Sequence, residues 1–317
     1  MANPSVNAFL ANLSDESWVH LDRASVIAGL TDYIDQERCR STSWAASFAA
    51  HCPVPEVSVS EYLPRLLRDT PLGDLWVGIR FLGGNLAAPF VELLASEIPI
   101  TSPCLLQQTR NVIRREFERF QPLWLRFPVR PQSPWLIATP LINSMIRLDM
   151  TTVIGSIAQL HKTPSPSQMD RLRIVPVHTV DFMDELKALY ADFHRDHSEL
   201  KVDVTPSSPE ELKSCVEDGV VLRAMVGHRS AGFIAALPEA FWGIPGYCIY
   251  EEILGTDFRG RGLGPVLQRH LIEALPTSAL LFGTIVGTNQ ASMKTALRLG
   301  RVRCIEQYFY DLRDEAT

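Results

Sequence analysis

The sequence predicts an α/β (α+β) chain: mixed, mainly antiparallel twisted sheets flanked by helices, in two such domains in tandem, 1–163 and 164–317. Three observations predict it. In the stretch 251–264, EEILGTDFRGRGLG, an apolar strand runs into a glycine-rich turn, and a helical pattern begins at Pro265. After residue 170 the periodic segments follow the order strand, helix, helix, three strands, helix, strand, helix, strand. A similar order, strand, turn, strand, helix, strand, recurs in the first half, and each half has the length of an ordinary domain.

Composition narrows the class. Hydrophobic residues make up 46% and charged residues 21% of 317, which is a globular composition. The net charge of −6 lacks the basic excess of a general nucleic-acid binder. Cys39, Cys52, Cys104, Cys215, Cys248 and Cys304 form no CxxC pair, so neither a zinc site nor a redox motif is signalled and no metal is expected. The first residues lack a basic stretch followed by an apolar core, and no apolar run approaches the ~20 residues of a membrane span. A soluble, cytoplasmic protein without membrane or nucleic-acid partners is the expectation.

The first 70 residues read as mostly helical, with helices over 21–37 and 43–50 and a third over 58–68. Pro53 and Pro55 break the second helix, which makes His51-Cys52 a helix end rather than a nucleophile and its base. Residues 75–82 and 89–94 read as strands around Gly83-Gly84-Asn85. Residues 105–120 read as a helix whose Arg110, Arg114, Arg115 and Arg119 form a solvated face with Glu116 and Glu118. Residues 123–129 read as a strand, and 135–148 fit either helix or strand. In this half, 97–103 (EIPITSP) takes the place of the glycine turn. It has no glycine and two prolines, so no phosphate site is expected there.

Polar, proline-containing 161–168 reads as the interdomain linker. A strand over 172–177 precedes an amphipathic helix over 181–197 with Phe182, Leu186, Leu189 and Phe193 as its stripe. Ser208-Pro209-Glu210-Glu211 combines an N-cap, a first-turn proline and a capping-box glutamate. Strands over 220–226 and 231–237 flank a hairpin turn at 227–230. Strand 247–254 enters the glycine turn and helix 265–275 leaves it. A strand over 279–286, a helix over 289–299 closed by Gly300 and a strand over 304–312 complete the chain.

A strand, a glycine turn and a helix N-terminus together make an anion site. Glycine permits positive φ and close backbone approach, and the leading helical N–H groups lack partners within the helix. The helix dipole favours negative charge there, and Arg259 and Arg261 add cations that never titrate away. The turn lacks the Lys-Ser/Thr of a P-loop and the spacing of the dinucleotide fingerprint. Arg259-Gly260-Arg261-Gly262-Leu263-Gly264 instead resembles the Arg/Gln-x-x-Gly-x-Gly/Ala loop of the GNAT superfamily of acyl-CoA-dependent N-acyltransferases. Asn289 followed by Leu299-Gly300 resembles a second motif of that family, with Ser292 where the family usually has Ala. The resemblance covers about residues 170–313.

The resemblance implies an N-acetyltransferase using acetyl-CoA. The backbone of Ile253, Leu254 and Gly255 would meet the thioester arm, and Arg259–Gly264 would hold the pyrophosphate. Asn289 would contact the pantetheine arm or order the base path, with Ser292 beside it on the cofactor side. Transfer to an amine needs a route for its proton, and Glu251 and Glu252 are the base candidates. Adjacent strand residues face opposite sides, so one of the two points into the cleft, and spacing from the turn favours Glu251. Two carboxylates here also favour a cationic amine. The family's thiolate-protonating Tyr is replaced by Ala296, and the Phe after Leu-Gly by Arg301; either no general acid is used, or Tyr308 or Tyr310 on the last strand supplies it. His194 and His197 are candidates for the acceptor side, and 242–246 for a wall over it. The acceptor is a small molecule or a peptide, its identity open as is the oligomeric state. A catalytically silent acyl-CoA sensor and a transferase of longer acyl groups are the alternatives.

Overall fold

A computed structural model describes residues 4–137, 145–202 and 204–313. Part of the 135–148 segment, 138–144, lies outside the described residues. The chain forms two compact units, Met1–Asp15 with Val26–Met150 and Ile305–Thr317, and Glu16–Ser25 with Thr151–Cys304. This division differs from the expected cut at 163/164. The 161–168 segment lies within the second unit, and the last strand counts with the first.

The first unit carries helices α1 (Pro4–Leu10), α2 (Arg23–Arg38, entering the unit from Val26), α3 (Thr42–His51) and α4 (Pro103–Glu116). Its strands are β1 (Arg65–Thr70), β2 (Gly73–Phe81), β3 (Pro89–Ser96) and β4 (Trp124–Val129), together with β11 (Val302–Asp311) from Ile305 onward. Their order is β1-β2-β3-β4-β11. The helix expected over 58–68 is instead a 3₁₀ turn, Val59–Tyr62, followed by β1. Pro64 stops the turn, since proline disfavours helix at the residue before it. The β1–β2 turn places Gly73 at φ 71°, and a Cβ there would meet Glu97 at 2.7 Å. Leu75, Val77, Ile79, Val91, Leu106, Ile113 and Phe127 form the core. Tyr62 packs edge-to-face on Phe48 and Phe120 with ring centroids 5.7 and 5.1 Å apart. Cys52 caps α3 through its N–H to Phe48, the helix end its prolines predict. Two arginines of the expected face are engaged within the unit: Arg110 of α4 donates to the Leu312 carbonyl, and Arg119, in the 3₁₀ turn beyond the helix, pairs with Glu61.

The second unit carries β5 (Ile146–Ser156, from Thr151 onward), β6 (Arg173–Pro176), β7 (Val220–Val226), β8 (Arg229–Phe241), β9 (Ile244–Leu254) and β10 (Leu280–Val286). The order is β5-β10-β9-β8-β7-β6, antiparallel from β6 to β9 and parallel between β9 and β10. Its longer helices are α5 (Met183–Asp196), α6 (Pro209–Asp218), α7 (Leu263–Ala274) and α8 (Gln290–Arg298). The capping box at Ser208 and Glu211 forms as its spacing predicts. Helices cover both faces of the sheet. On β8, Phe233 and Ala235 join one apolar cluster with α5 and α6, while Ile234 and Ala236 join another with α7, the period-two alternation of a strand buried on both sides. Each unit is thus a mixed, mainly antiparallel sheet with flanking helices. Strand β5 begins at the end of the 135–148 segment that fits either helix or strand, and its continuation to Ser156 had no counterpart among the sequence expectations.

Each unit also holds a bulge. Ala235 stands opposite Glu251 but Ala236 opposite Ile249, so Tyr250 is the extra residue of β9. Val77 stands opposite Leu93 but Trp76 opposite Ala95, so Leu94 is the extra residue of β3. Parallel pairing runs from Gly246–Leu280 to Cys248–Phe282 in one unit and from Phe90–Trp124 to Glu92–Arg126 in the other. In both, the bulge sits at the second residue beyond the last parallel partner. A bulge bends and twists its strand, here where the parallel neighbour is left behind.

Candidate active site

A cleft of ≈ 610 Å³ opens in the second unit where β9 ends and α7 begins. Glu252, Ile253 and Leu254 of β9 line it, with Arg259, Gly260 and Gly262 of the turn and Leu263 and Gly264 at the start of α7. Asn289, Ser292, Lys294 and Arg298 line the α8 side, and Tyr190, Phe193 and His197 the α5 side.

The turn has the geometry its glycines allow. Gly260 and Gly262 sit at φ 68° and 74°, where side-chain-bearing residues are strained. Gly262 occupies the N-cap of α7 with no side-chain cap, and the first turn holds no acid. The leading N–H groups of α7 are therefore left to the cleft. Gly264 serves packing instead: a Cβ there would lie 3.2 Å from Thr295 Oγ1.

Arg259 folds back over this turn. Its Nε donates to the Leu254 carbonyl at 2.7 Å, and its guanidinium stacks on Phe193 with 4.5 Å to the ring centroid. Both Nη atoms are buried and, among the described residues, have no hydrogen-bond partner. Burial lowers the guanidinium's pKa from its ordinary value, against the pull of Asp196 and Asp192. Unpaired buried donors carry a desolvation cost that an anion in the cleft would remove. The residues present therefore fit a phosphate group.

The two glutamates part company. The Tyr250 bulge turns Glu251 toward α5, where it is 2% exposed. Its Oε1 accepts from the Tyr190 hydroxyl at 2.6 Å and its Oε2 from the Ser207 N–H at 3.1 Å. Burial pushes the Glu251 carboxyl up to about 7, against the lowering effect of those hydrogen bonds. Burial, with Glu251 alongside, also raises the Tyr190 phenol above its usual range. Glu252 faces the α7 side, lines the cleft and accepts from Gln268 Nε2 at 2.5 Å. Burial raises its carboxyl too, opposed by Arg301 and Gln268.

Of the residues singled out in the sequence, Glu252, Ile253, Leu254, Arg259, Gly260, Gly262, Leu263, Gly264, Asn289 and Ser292 meet in the cleft. Gly255 is outside the lining; its N–H continues the sheet to the Ala231 carbonyl at 2.9 Å. Arg261 is exposed and also outside the lining. Glu251 reaches the lining only through Tyr190. Asn289 caps α8, its Oδ1 accepting from the Ser292 N–H at 3.2 Å. Tyr310 is buried in the core of the first unit, and Tyr308 packs beside that core and donates to Glu306. Neither lines the cleft, because the strand that carries them pairs with β4. Ala296 is fully buried with Val153, Ile285 and Met293. His197 lines the cleft, whereas His194 is hydrogen-bonded to the Val204 carbonyl at 2.7 Å. Trp242 packs at a tilt on Phe241 with ring centroids 4.1 Å apart and is not part of the lining.

Tyr190, Gln268, Lys294 and Arg298 were not singled out in the sequence. Tyr190 sits within the amphipathic α5 pattern, where an aromatic reads as core. Among the described residues no group of His, Cys, Asp and Glu converges as a metal site requires, and no helix is long and apolar enough to cross a membrane.

No protein-family model and no curated protein matches the sequence. Solved structures similar to the chain include a GNAT-family acetyltransferase from Colwellia psychrerythraea, at 9% identity and a TM-score of 0.48, covering 92% of this chain and 98% of that one. A conserved Staphylococcus epidermidis protein described as functionally unknown gives 10% identity and 0.47, covering 82% and 99%. A GCN5-related N-acetyltransferase from Sphaerobacter thermophilus gives 14% and 0.46, covering 87% and 95%. Overlaps this loose leave the chemistry to be read from the cleft itself.

Proposed function

We propose that the second unit is a GNAT-like acyltransferase that passes an acetyl group from acetyl-CoA to a primary amine. The observation that carries this is the pair of buried Arg259 Nη atoms, without a hydrogen-bond partner among the described residues, beside an uncapped, glycine-opened helix N-terminus, where β9 has run past its last residue paired with β10. The pyrophosphate of the co-substrate would take the N–H groups of α7 and the Arg259 Nη atoms. Lys294 and Arg298 supply cations on the α8 wall for a further phosphate. The thioester supplies the acyl group: its C–S bond breaks as the amine's C–N bond forms, and the sulfur leaves as thiolate.

Proton handling falls to Tyr190 and Glu251. The attacking nitrogen must shed a proton, and Tyr190, whose hydroxyl donates to Glu251, lines the cleft. A proton passed to Tyr190 as its own moves to Glu251 Oε1 leaves the phenol unchanged and Glu251 neutral. A carboxyl titrating near 7 is matched to that task at neutral pH. The thiolate takes its proton from solvent, since Ala296 offers none. The first unit, a decayed duplicate without the turn, is a structural partner in this proposal. Ala296 also favours a second possibility, a sensor that binds acetyl-CoA without turnover; thiol release with an amine panel separates the two.

Calorimetric titration of acetyl-CoA into the whole chain, beside Gly262→Asp, tests the proposal. The expected result is one site per chain, lost in the variant, because Asp places a strained side chain and a negative charge where phosphate should sit. Absence of binding to the wild type overturns it.

A further inference from the structure

Beneath the cleft lies a chain of three polar side chains that the transfer proposal leaves unused. Arg301 is 3% exposed and Gln268 is 0% exposed. Arg301 Nη2 donates to Gln268 Oε1 at 2.7 Å, and Gln268 Nε2 donates to Glu252 Oε2 at 2.5 Å. The line runs from a buried cation to the one carboxylate in the cleft lining among the described residues. Gln268 fixes the direction of the chain: its carbonyl is held by the cation, so its N–H must point at Glu252.

Burying a guanidinium is costly unless its charge is compensated. Arg301 Nε has no hydrogen-bond partner among the described residues, and the charge facing Arg301 is that of Glu252. Burial lowers Arg301 to about 10, opposed by Glu252 and then Cys248. A hydrophobic residue would fill this site at lower cost. Arg301 opposes the rise that burial imposes on Glu252 and, through Gln268, aims its carboxyl. Glu251 beside it on β9 and Tyr190 on α5 are the other titratable groups that feel Glu252.

We propose that Arg301, acting through Gln268, is a positioning residue that holds Glu252 as an oriented carboxylate, and that Glu252 receives the acceptor, which is an alkylammonium cation. The acceptor role rests on the transfer proposal; the positioning role stands on the hydrogen-bonded line alone. The two glutamates then divide the work. Glu252 holds the charged nitrogen, and Glu251, reached through Tyr190, takes the proton that must leave before attack.

The test uses the full chain with glutamate labelled with ¹³C at the side-chain carboxyl, the Glu252 signal being identified by its loss in Glu252→Gln. Spermidine is the cationic probe and aniline, neutral at pH 7, the control. Spermidine should shift the Glu252 signal, aniline should not, and Glu252→Gln should bind spermidine about tenfold more weakly. Arg301→Met should move the Glu252 titration midpoint upward by about one unit, with Arg301→Lys recovering part of the shift. Gln268→Met should give the same direction and stands in if Arg301→Met does not fold. A Glu252 midpoint unmoved in these variants overturns the positioning role. A Glu252 signal indifferent to spermidine overturns the acceptor class. Acetyl-CoA that gives no heat of binding, with the Glu252 midpoint moving as stated, removes the transfer proposal and leaves the positioning role standing.

Discussion

The two units build the same corner and finish it differently. Each has an antiparallel pair, a bulge two residues past its last parallel partner, and a helix that returns the chain to that parallel strand. In the second unit the strand leads through glycines to an uncapped helix, and a cleft of ≈ 610 Å³ remains. In the first, residues 97–102 lead to Pro103, and Leu93, Leu106, Phe127, Leu136 and Ile146 share one apolar cluster. A parallel pair that ends at a bulge therefore does not make a pocket by itself. The turn that leaves the strand, and the side chains that enter the gap, decide between a binding site and a core.

This comparison breaks at several points of decreasing size. Leu106→Ala in the first unit should lower the unfolding free energy by about 2–5 kcal/mol, read by denaturant melt. Acetyl-CoA affinity should stay as it was; affinity lost in step with stability would mean that the filled corner serves the open one. Tyr190→Phe should slow turnover about 10–100-fold in thiol-release assays. A base acts deprotonated, so activity should fall as pH drops through about 7, where Glu251 titrates. The Tyr190 hydrogen bond holds that value down, so the Phe variant should move the acidic limb to higher pH. A limb that stays put separates Glu251 from the reaction. The smallest effect concerns Lys294 and Arg298. Coenzyme A should bind about tenfold more tightly than its analogue lacking the ribose 3′-phosphate, and a Lys294→Gln, Arg298→Gln chain should bind both alike. Salt should shrink the difference, since both cations are exposed. Equal affinities in the wild type would put that phosphate elsewhere.

Local chemistry was legible in the sequence, and long-range pairing was not. The glycines at 260 and 262 mark positive φ, and Ser208 with Glu211 marks a helix start, because each is decided within a few residues. Period two separates Glu251 from Glu252 correctly. Which of them faces the cleft depends on the Tyr250 bulge, which places Tyr250 and Glu251 on one side, and on Tyr190, 61 residues away. Spacing alone favours Glu251, whereas the lining holds Glu252. Strand β1 was hidden within a helical pattern that Pro64 cuts. Tyr308 and Tyr310 share a strand that the sequence locates well, yet its partner is β4. Arg301 was visible only as a departure from the GNAT motif, and its use appears once Gln268 is seen between it and Glu252.

The pairing of β11 with β4 sets an order on the birth of the molecule. Val129 meets Glu306 and Trp124 meets Asp311, so the neighbour that closes β4 is synthesised only after the entire second unit. Until then the first unit presents the ribosome exit with a bare, apolar edge, WLRFPV, of the kind that invites foreign strands. Contacts so distant along the chain also form slowly. A nascent chain of this protein must guard that edge while the unit proposed to carry the chemistry is still being made, and a fragment stopping before residue 302 would keep the liability for good.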